Sequence, residues 1–190
     1  MQKKDGGFSF TEILVSLTVI LILAAIGLPI VDRSLSVYRL NSAASDIANI
    51  FQRTRYEAIK QNTVVVCRGR QQGGATAGGG DWVVWIDLNN NGALDATEPQ
   101  ILLHGPVTFV GAGVAPSPAS MGYPNAKAPS GSIAFDSRGA VSFGGGASTV
   151  YVVYLGYAGQ PDFGYRALTV IPSGKTKVWS AARGGTWHTQ

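Results

Sequence analysis

Hydrophobic residues crowd the front of the chain and then settle into two different rhythms. Positions 13–31 form a run of 19 residues without a charge, close to the roughly 20 that an α-helix needs to cross a bilayer core. From 28 to 60 the apolar residues Leu28, Val31, Leu35, Tyr38, Ile47, Ile50, Phe51 and Ala58 recur mostly three and four apart, the stripe of a helix with one buried face. Joined, the two segments predict one helix from about residue 11 to about residue 60, roughly 75 Å at 1.5 Å per residue. Pro29 removes one backbone bond from it, so a bend or local melting is expected over 26–30. The other face of the second half carries Asp32, Arg33, Arg39, Asp46, Arg53 and Arg55 and reads as solvated. Past Asn62 the period drops to two. Segments 63–67, 82–87, 100–103, 107–110, 132–135, 140–143, 149–156, 166–171 and 176–180 read as strands separated by turn residues, with hairpins at IAF-DSRG-AVSF and LTVI-PSGK-TKVW. Stretches 69–80 and 111–130 are rich in Gly, Pro and Ala without a period and read as loops. The pattern predicts an α+β fold: a long N-terminal helix, membrane-spanning in its first half, packed on an antiparallel β-sheet head.

Composition narrows this picture. The 190 residues suffice for one membrane helix and one compact domain. Charged residues reach only 14% while glycine numbers 25, which suits a turn-rich β head better than a helical enzyme. Formal charge is +4, a surplus that permits an acidic partner without demanding one. Lys3 and Lys4 precede the apolar run, so the positive-inside rule puts the leader in the cytoplasm and the rest, past residue 31, across the membrane. Cys67 is the single cysteine. It allows no intramolecular disulfide and reads as a small buried hydrophobe at the end of TVVVC. No H-E-x-x-H, no G-x-S-x-G and no close cysteine–histidine pairing occurs, so no enzymatic activity is expected.

One carboxylate interrupts this economy. Glu12 opens the apolar run, where a charge costs on the order of 3 kcal/mol on insertion scales, which implies a partner or a task. The segment GGFSFTEILVSLTVILILAAIGLPIV, with its basic head, glycine junction and Glu12, resembles the N-terminus of type IV prepilins and type II secretion pseudopilins. A secretory signal would carry its cleavage site after the apolar region; here the glycine junction precedes it. The resemblance implies that a prepilin peptidase cuts between Gly7 and Phe8 and methylates the amino group of Phe8. Glu12 then becomes the fifth residue of the mature chain, neutralising the free amine of a neighbouring subunit in the filament core, and Pro29 falls where such helices bend. The implied segments are 1–7 as leader, 8–31 as transmembrane and assembly helix, 32–62 as its amphipathic second half and 63–190 as a β-rich periplasmic head. Removal of the leader leaves 13 basic and 10 acidic side chains.

The stretches DWVVWIDLNNNGALDATEPQILL, SIAFDSRGAVSF and YRALTVIPSGKTKV resemble, in order, the heads of H-type minor pseudopilins and of FimT- and FimU-type minor pilins. That resemblance implies a minor subunit in the tip or initiation complex of a type II secretion pseudopilus, held in the inner membrane. Its expected partners are other pseudopilins or pilins and the prepilin peptidase. The alternative it implies is a minor type IV pilin that binds DNA during natural transformation.

Two motifs could bind something. Asp87, Asn89, Asn91, Asp95 and Glu98 occupy positions 1, 3, 5, 9 and 12 of a calcium-loop pattern, with Gly92 at position 6 and Ala93 offering a carbonyl. The competing reading is a polar hairpin whose Asn and Asp satisfy their own backbone while Gly92 supplies a positive φ. No cofactor is required, and Ca²⁺ is the one candidate. Gly174-Lys175-Thr176-Lys177 fails as a nucleotide loop, since Thr169 stands where the first Walker glycine belongs and a strand-like TKVW follows. The FimT-type resemblance implies DNA contact at this place. Lysines in the family's arginine positions favour phosphate over base contact, with Arg183, Trp187 and His188 as candidate supports. The competing reading is a solvated turn.

Overall fold

A computed structural model describes residues 9–72, 81–103, 105–142 and 149–190. The junction of Gly7 and Phe8 lies outside the described residues, as does His104. The chain divides into two compact units, Met1–Ser36 and Val37–Gln190.

Helix α1 runs over Phe10–Gln61. Over 13–31 it carries no charge on any side, and none of its described residues before Ser36 is buried; one window of it is long and apolar enough to cross a membrane. The helix continues through Pro29, so the melting expected over 26–30 does not occur. Pro29 offers no N–H to the Ala25 carbonyl, so one intrahelical bond is missing there while the turns on either side continue the helix. The helix stops at Asn62, whose φ of 52° puts it in the left-handed region. There the Thr63 amide donates back to the Ala58 carbonyl at 3.2 Å, the geometry of a helix C-terminus.

Among the described residues of the second unit, ten strands form two antiparallel sheets rather than a single one. They are β1 (Val65–Gln71), β2 (Trp82–Asp87), β3 (Gln100–Leu103), β4 (Val107–Val110), β5 (Ser132–Phe135), β6 (Val141–Ser142), β7 (Tyr151–Tyr157), β8 (Tyr165–Val170), β9 (Thr176–Ala181) and β10 (His188–Thr189). The first sheet is ordered β3-β2-β1-β5-β6 and the second β10-β9-β8-β7-β4. Alternation along the strands sends Cys67, Val84, Ile86, Ile133 and Phe135 of the first sheet, and Val153, Leu155, Leu168 and Val170 of the second, into one core with Leu40, Ala44, Ile47, Ile50 and Phe51 of α1.

The second sheet is buried on its other face as well. Val152, Tyr154, Tyr165, Ala167, Trp179 and Ala181 meet Ala115, Met121 and Trp187 there. Segment 111–130 is therefore a cover for this sheet, with a 3-10 turn at Pro118–Met121, although its composition predicts only a loop. Trp187 donates from its indole to the Pro116 carbonyl at 3.2 Å, and its amide donates to the Ser120 hydroxyl at 3.1 Å. Its ring lies 5.7 Å from that of Tyr154. Burial of two aromatic rings explains why a period-free segment holds its place.

Candidate functional site

The N-terminal half of α1 presents Glu12 in the first helical turn, exposed among apolar neighbours. A carboxylate there faces the unpaired amides and positive end of the helix dipole. Ser16 and Thr18 turn their hydroxyls onto the Glu12 and Leu14 carbonyls at 2.7 and 2.8 Å, which hides their polarity inside the helix. Ile13, Leu14, Leu17, Ile20, Leu21 and Leu23 stand exposed around it. Within its own unit this surface is uncovered, so lipid or another helix must supply its apolar surroundings.

The loop after β2 is organised by carboxylates. Asp87 is wholly buried; one oxygen accepts the Asn91 amide at 3.1 Å, and the other accepts the Gly92 amide at 2.9 Å and the Arg68 guanidinium at 2.5 Å. Arg68 sits on β1 opposite Trp85, diagonal to Asp87, within reach of a long side chain. Glu98, 6% exposed, accepts the Leu88 amide at 2.8 Å and the Asp95 amide at 3.1 Å, one on each oxygen. The Asn89 and Asn91 side-chain amides both donate to Asp95 at 2.8 and 2.9 Å, and the Asn91 side-chain oxygen accepts the Ala93 amide at 2.8 Å. Asn90 and Gly92 take φ of 55° and 79°. The oxygens at positions 1, 3, 5, 9 and 12 are thus brought into one loop but turned onto its own N–H groups. Among the described residues no three His, Cys, Asp or Glu side chains gather into a metal-holding group. In this arrangement the loop's oxygens satisfy its own donors and Arg68, and a bound Ca²⁺ would have to take them over. Arg68 is the residue that sequence reasoning missed; its signal was an arginine on the strand face opposite Cys67 in VVCRGR.

The C-terminal hairpin meets the β5–β6 turn. Gly174 has φ of 78°, and a Cβ there would come within 2.0 Å of the Gly139 carbonyl oxygen. Arg55 of α1 donates to the same oxygen at 2.9 Å. Lys175 and Lys177 are exposed, as is Arg138 on the adjoining turn, where it pairs with Asp136 at 3.5 Å; Lys177 lies 5.8 Å from the Trp179 ring centroid. One expected support is closed to stacking, since Trp187 is buried in the second core. Arg183 is exposed and paired with Asp162 at 3.2 Å. His188 is exposed on β10, with its Nε2 3.2 Å from the Thr186 hydroxyl.

Arg166 ties α1 to the second sheet. It donates to the Asn41 side-chain oxygen at 2.6 Å and the Tyr165 carbonyl at 2.8 Å. Burial pushes its pKa down. Cys67 lies in the main core, where burial, opposed by a hydrogen bond from Thr54, pushes its thiol from 9.0 to about 12.

Residues 43–174 match the family model described as type II transport protein GspH, and residues 2–28 match the prokaryotic N-terminal methylation motif. The fold is similar to a crystal structure of the type IV minor pilin FimU from Pseudomonas aeruginosa PAO1. The two are 16% identical, with a TM-score of 0.50, over 76% of this chain and 94% of that one. A second crystal form of FimU gives a TM-score of 0.49 at the same identity, over 76% and 99% of the two chains. No curated protein matches in sequence.

Proposed function

This chain belongs to the GspH family of pilin-like type II transport proteins, and from that premise we propose that it is a minor pseudopilin of a type II secretion pseudopilus, placed in its tip or initiation complex. The members of this family are structural subunits rather than enzymes, built to assemble with other pilins. The observation that carries the reading is the family match over 43–174 on a head that follows an N-methylation motif over 2–28. The chain is synthesised with its leader in the cytoplasm, cut between Gly7 and Phe8 by prepilin peptidase, methylated on Phe8 and held in the inner membrane with its head in the periplasm. Lateral contacts among apolar helices then draw it into the filament. Glu12 supplies the directional element, because an unpaired carboxylate and an unpaired amine in an apolar core each cost several kcal/mol and pairing them offsets both.

Glu12→Ala tests this. The variant should insert and keep its head folded, yet be absent from purified assembly complexes; normal incorporation would remove the pairing role. Intact mass from a host with prepilin peptidase should show loss of residues 1–7 and gain of one methyl group. Retention of residues 1–7 in an assembled, functional protein would overturn the maturation step.

DNA binding during uptake is the second reading, favoured by the exposure of Lys175 and Lys177 beside exposed Arg138. Such contact would be to phosphates and would weaken steeply with salt. Lys175→Ala with Lys177→Ala should reduce the salt slope by roughly 2. The matched control removes Arg39 and Lys127, since Arg138 adjoins the tested hairpin. Equal losses from both double variants would leave only general charge attraction.

A further inference from the structure

Strand β3 is an edge of the first sheet and, among the described residues, pairs with β2 alone. The Ile86 amide donates to the Pro99 carbonyl, which sets the alternation for the rest of the ladder. Val84–Ile101 and Trp82–Leu103 are then hydrogen-bonded pairs, while Trp85–Gln100 and Val83–Leu102 are the non-bonded ones. The N–H and C=O groups of Gln100 and Leu102 therefore point away from β2, and no described residue bonds to them. Edges of this kind are blunted by short length, proline, charge, a bulge or a covering segment. β3 is only four residues long and follows Pro99, but it carries no charge of its own and leaves Leu102 40% exposed beside its outward backbone groups.

A cleft of about 160 Å³ runs along this edge between Asp46, Asn49 and Arg53 of α1 and Pro99, Gln100 and Ile101. Asp46 and Arg53 are exposed, and neither has an ion-pair partner among the described residues. They lie seven positions apart on one face of the helix, about 10 Å along its axis. The cleft thus carries a negative end and a positive end beside a row of unused backbone groups.

We propose that the β3 edge accepts an extended segment of a neighbouring, different pilin-like subunit as an added strand. Backbone groups of that segment bond Gln100 and Leu102. A lysine or arginine and a carboxylate on one face of it, two to four residues apart, meet Asp46 and Arg53. This is strand addition, in which main-chain bonds supply affinity and flanking side chains supply choice. The inference rests on the chain acting as an assembly subunit and adds where it receives its neighbour.

The test uses the full chain in its host membrane with its neighbouring subunits present. A photo-reactive residue at Gln100 should crosslink to an extended, oppositely charged segment of another subunit, identified by peptide mass mapping; the same residue at exposed Asp162 should not. Leu102→Pro removes the outward amide, together with the leucine side chain, and should cut the crosslink about tenfold, the equivalent of roughly 1.4 kcal/mol. If that variant loses protease resistance, the exposed substitutions Asp46→Lys and Arg53→Glu replace it, each lowering the yield severalfold. Crosslinks to a second copy of this chain, yields unchanged by the variants, or no crosslink from a subunit that co-purifies with its assembly would each overturn the proposal. Failure to assemble at all, as with Glu12→Ala, would instead count against the subunit role.

Discussion

Asp87 and Cys67 show how little room the head leaves for reactive side chains. Asp87 is buried with three donors, one of them the charged Arg68, and removing one partner of a buried pair strands the other. Arg68→Ala should therefore cost about 3 kcal/mol, read by urea denaturation. Glu98→Ala frees two backbone amides and should cost about 2 kcal/mol without any added metal. Calcium binding would require Asp95 to be released by the Asn89 and Asn91 amides, so a rise in Tm at millimolar Ca²⁺ that Glu98→Ala abolishes is the signature of a metal loop; an unchanged Tm is the signature of the turn. For Cys67 the folded pKa is raised, so the folded state holds its proton while the unfolded chain loses it above 9.0. That contribution to stability is complete below pH 9 and is lost as pH rises toward about 12. Native protein at pH 8 should leave Cys67 unalkylated by iodoacetamide until denaturant is added. The chemistry of Asp87 through Glu98 was legible as oxygens at fixed spacing, but which way those oxygens turn depends on Arg68 and on left-handed Asn90, neither of which spacing encodes.

Among the elements, periodic ones were legible and stapled ones were not. Strands β2, β3, β4 and β5 begin and end where alternation places them, because their apolar positions face one shared core. Strand β10 and the cover 111–130 escaped because neither has a period; Trp187 holds them through contacts to Tyr154, Pro116 and Ser120. Trp187→Ala should cost about 3–5 kcal/mol, measurable by thermal unfolding, and expose the outer face of the second sheet to proteolysis. The hairpin turns were legible as DSRG and PSGK, yet their mutual contact was not, since it joins positions far apart in the chain. Asp136 organises the first of them: although desolvation opposes it, the Ala140 and Arg138 amides and the Arg138 charge hold its carboxyl below the usual range. Gly174→Ala would both strain a φ of 78° and drive a methyl into the Gly139 carbonyl, so it should lower stability by at least 2 kcal/mol and loosen the β5–β6 turn with it.

At the scale of the molecule, the division into an apolar helical unit and a head with its own core follows from the absence of charge over 13–31 and from the apolar stripe of the second half of α1, which enters the head core from Leu40 onward. The count of sheets did not follow, because alternation reports which face of a strand is covered and not which strand lies beside it. Lys127 pairing in parallel with Tyr151 and β4 joining β7 are long-range choices of that sort. The arrangement also distributes the four tryptophans in pairs: Trp82 and Trp85 on the first sheet, Trp179 and Trp187 on the outer layer of the second. The head is in this sense optically self-labelled, one pair of fluorophores for each sheet. With the first pair replaced by phenylalanine, emission reports the outer layer alone; with the second pair replaced, it reports the first sheet. Coincident red shifts in denaturant would mean that the two layers open as one cooperative unit, and an earlier shift from the Trp179–Trp187 pair would mean that the outer layer peels away first.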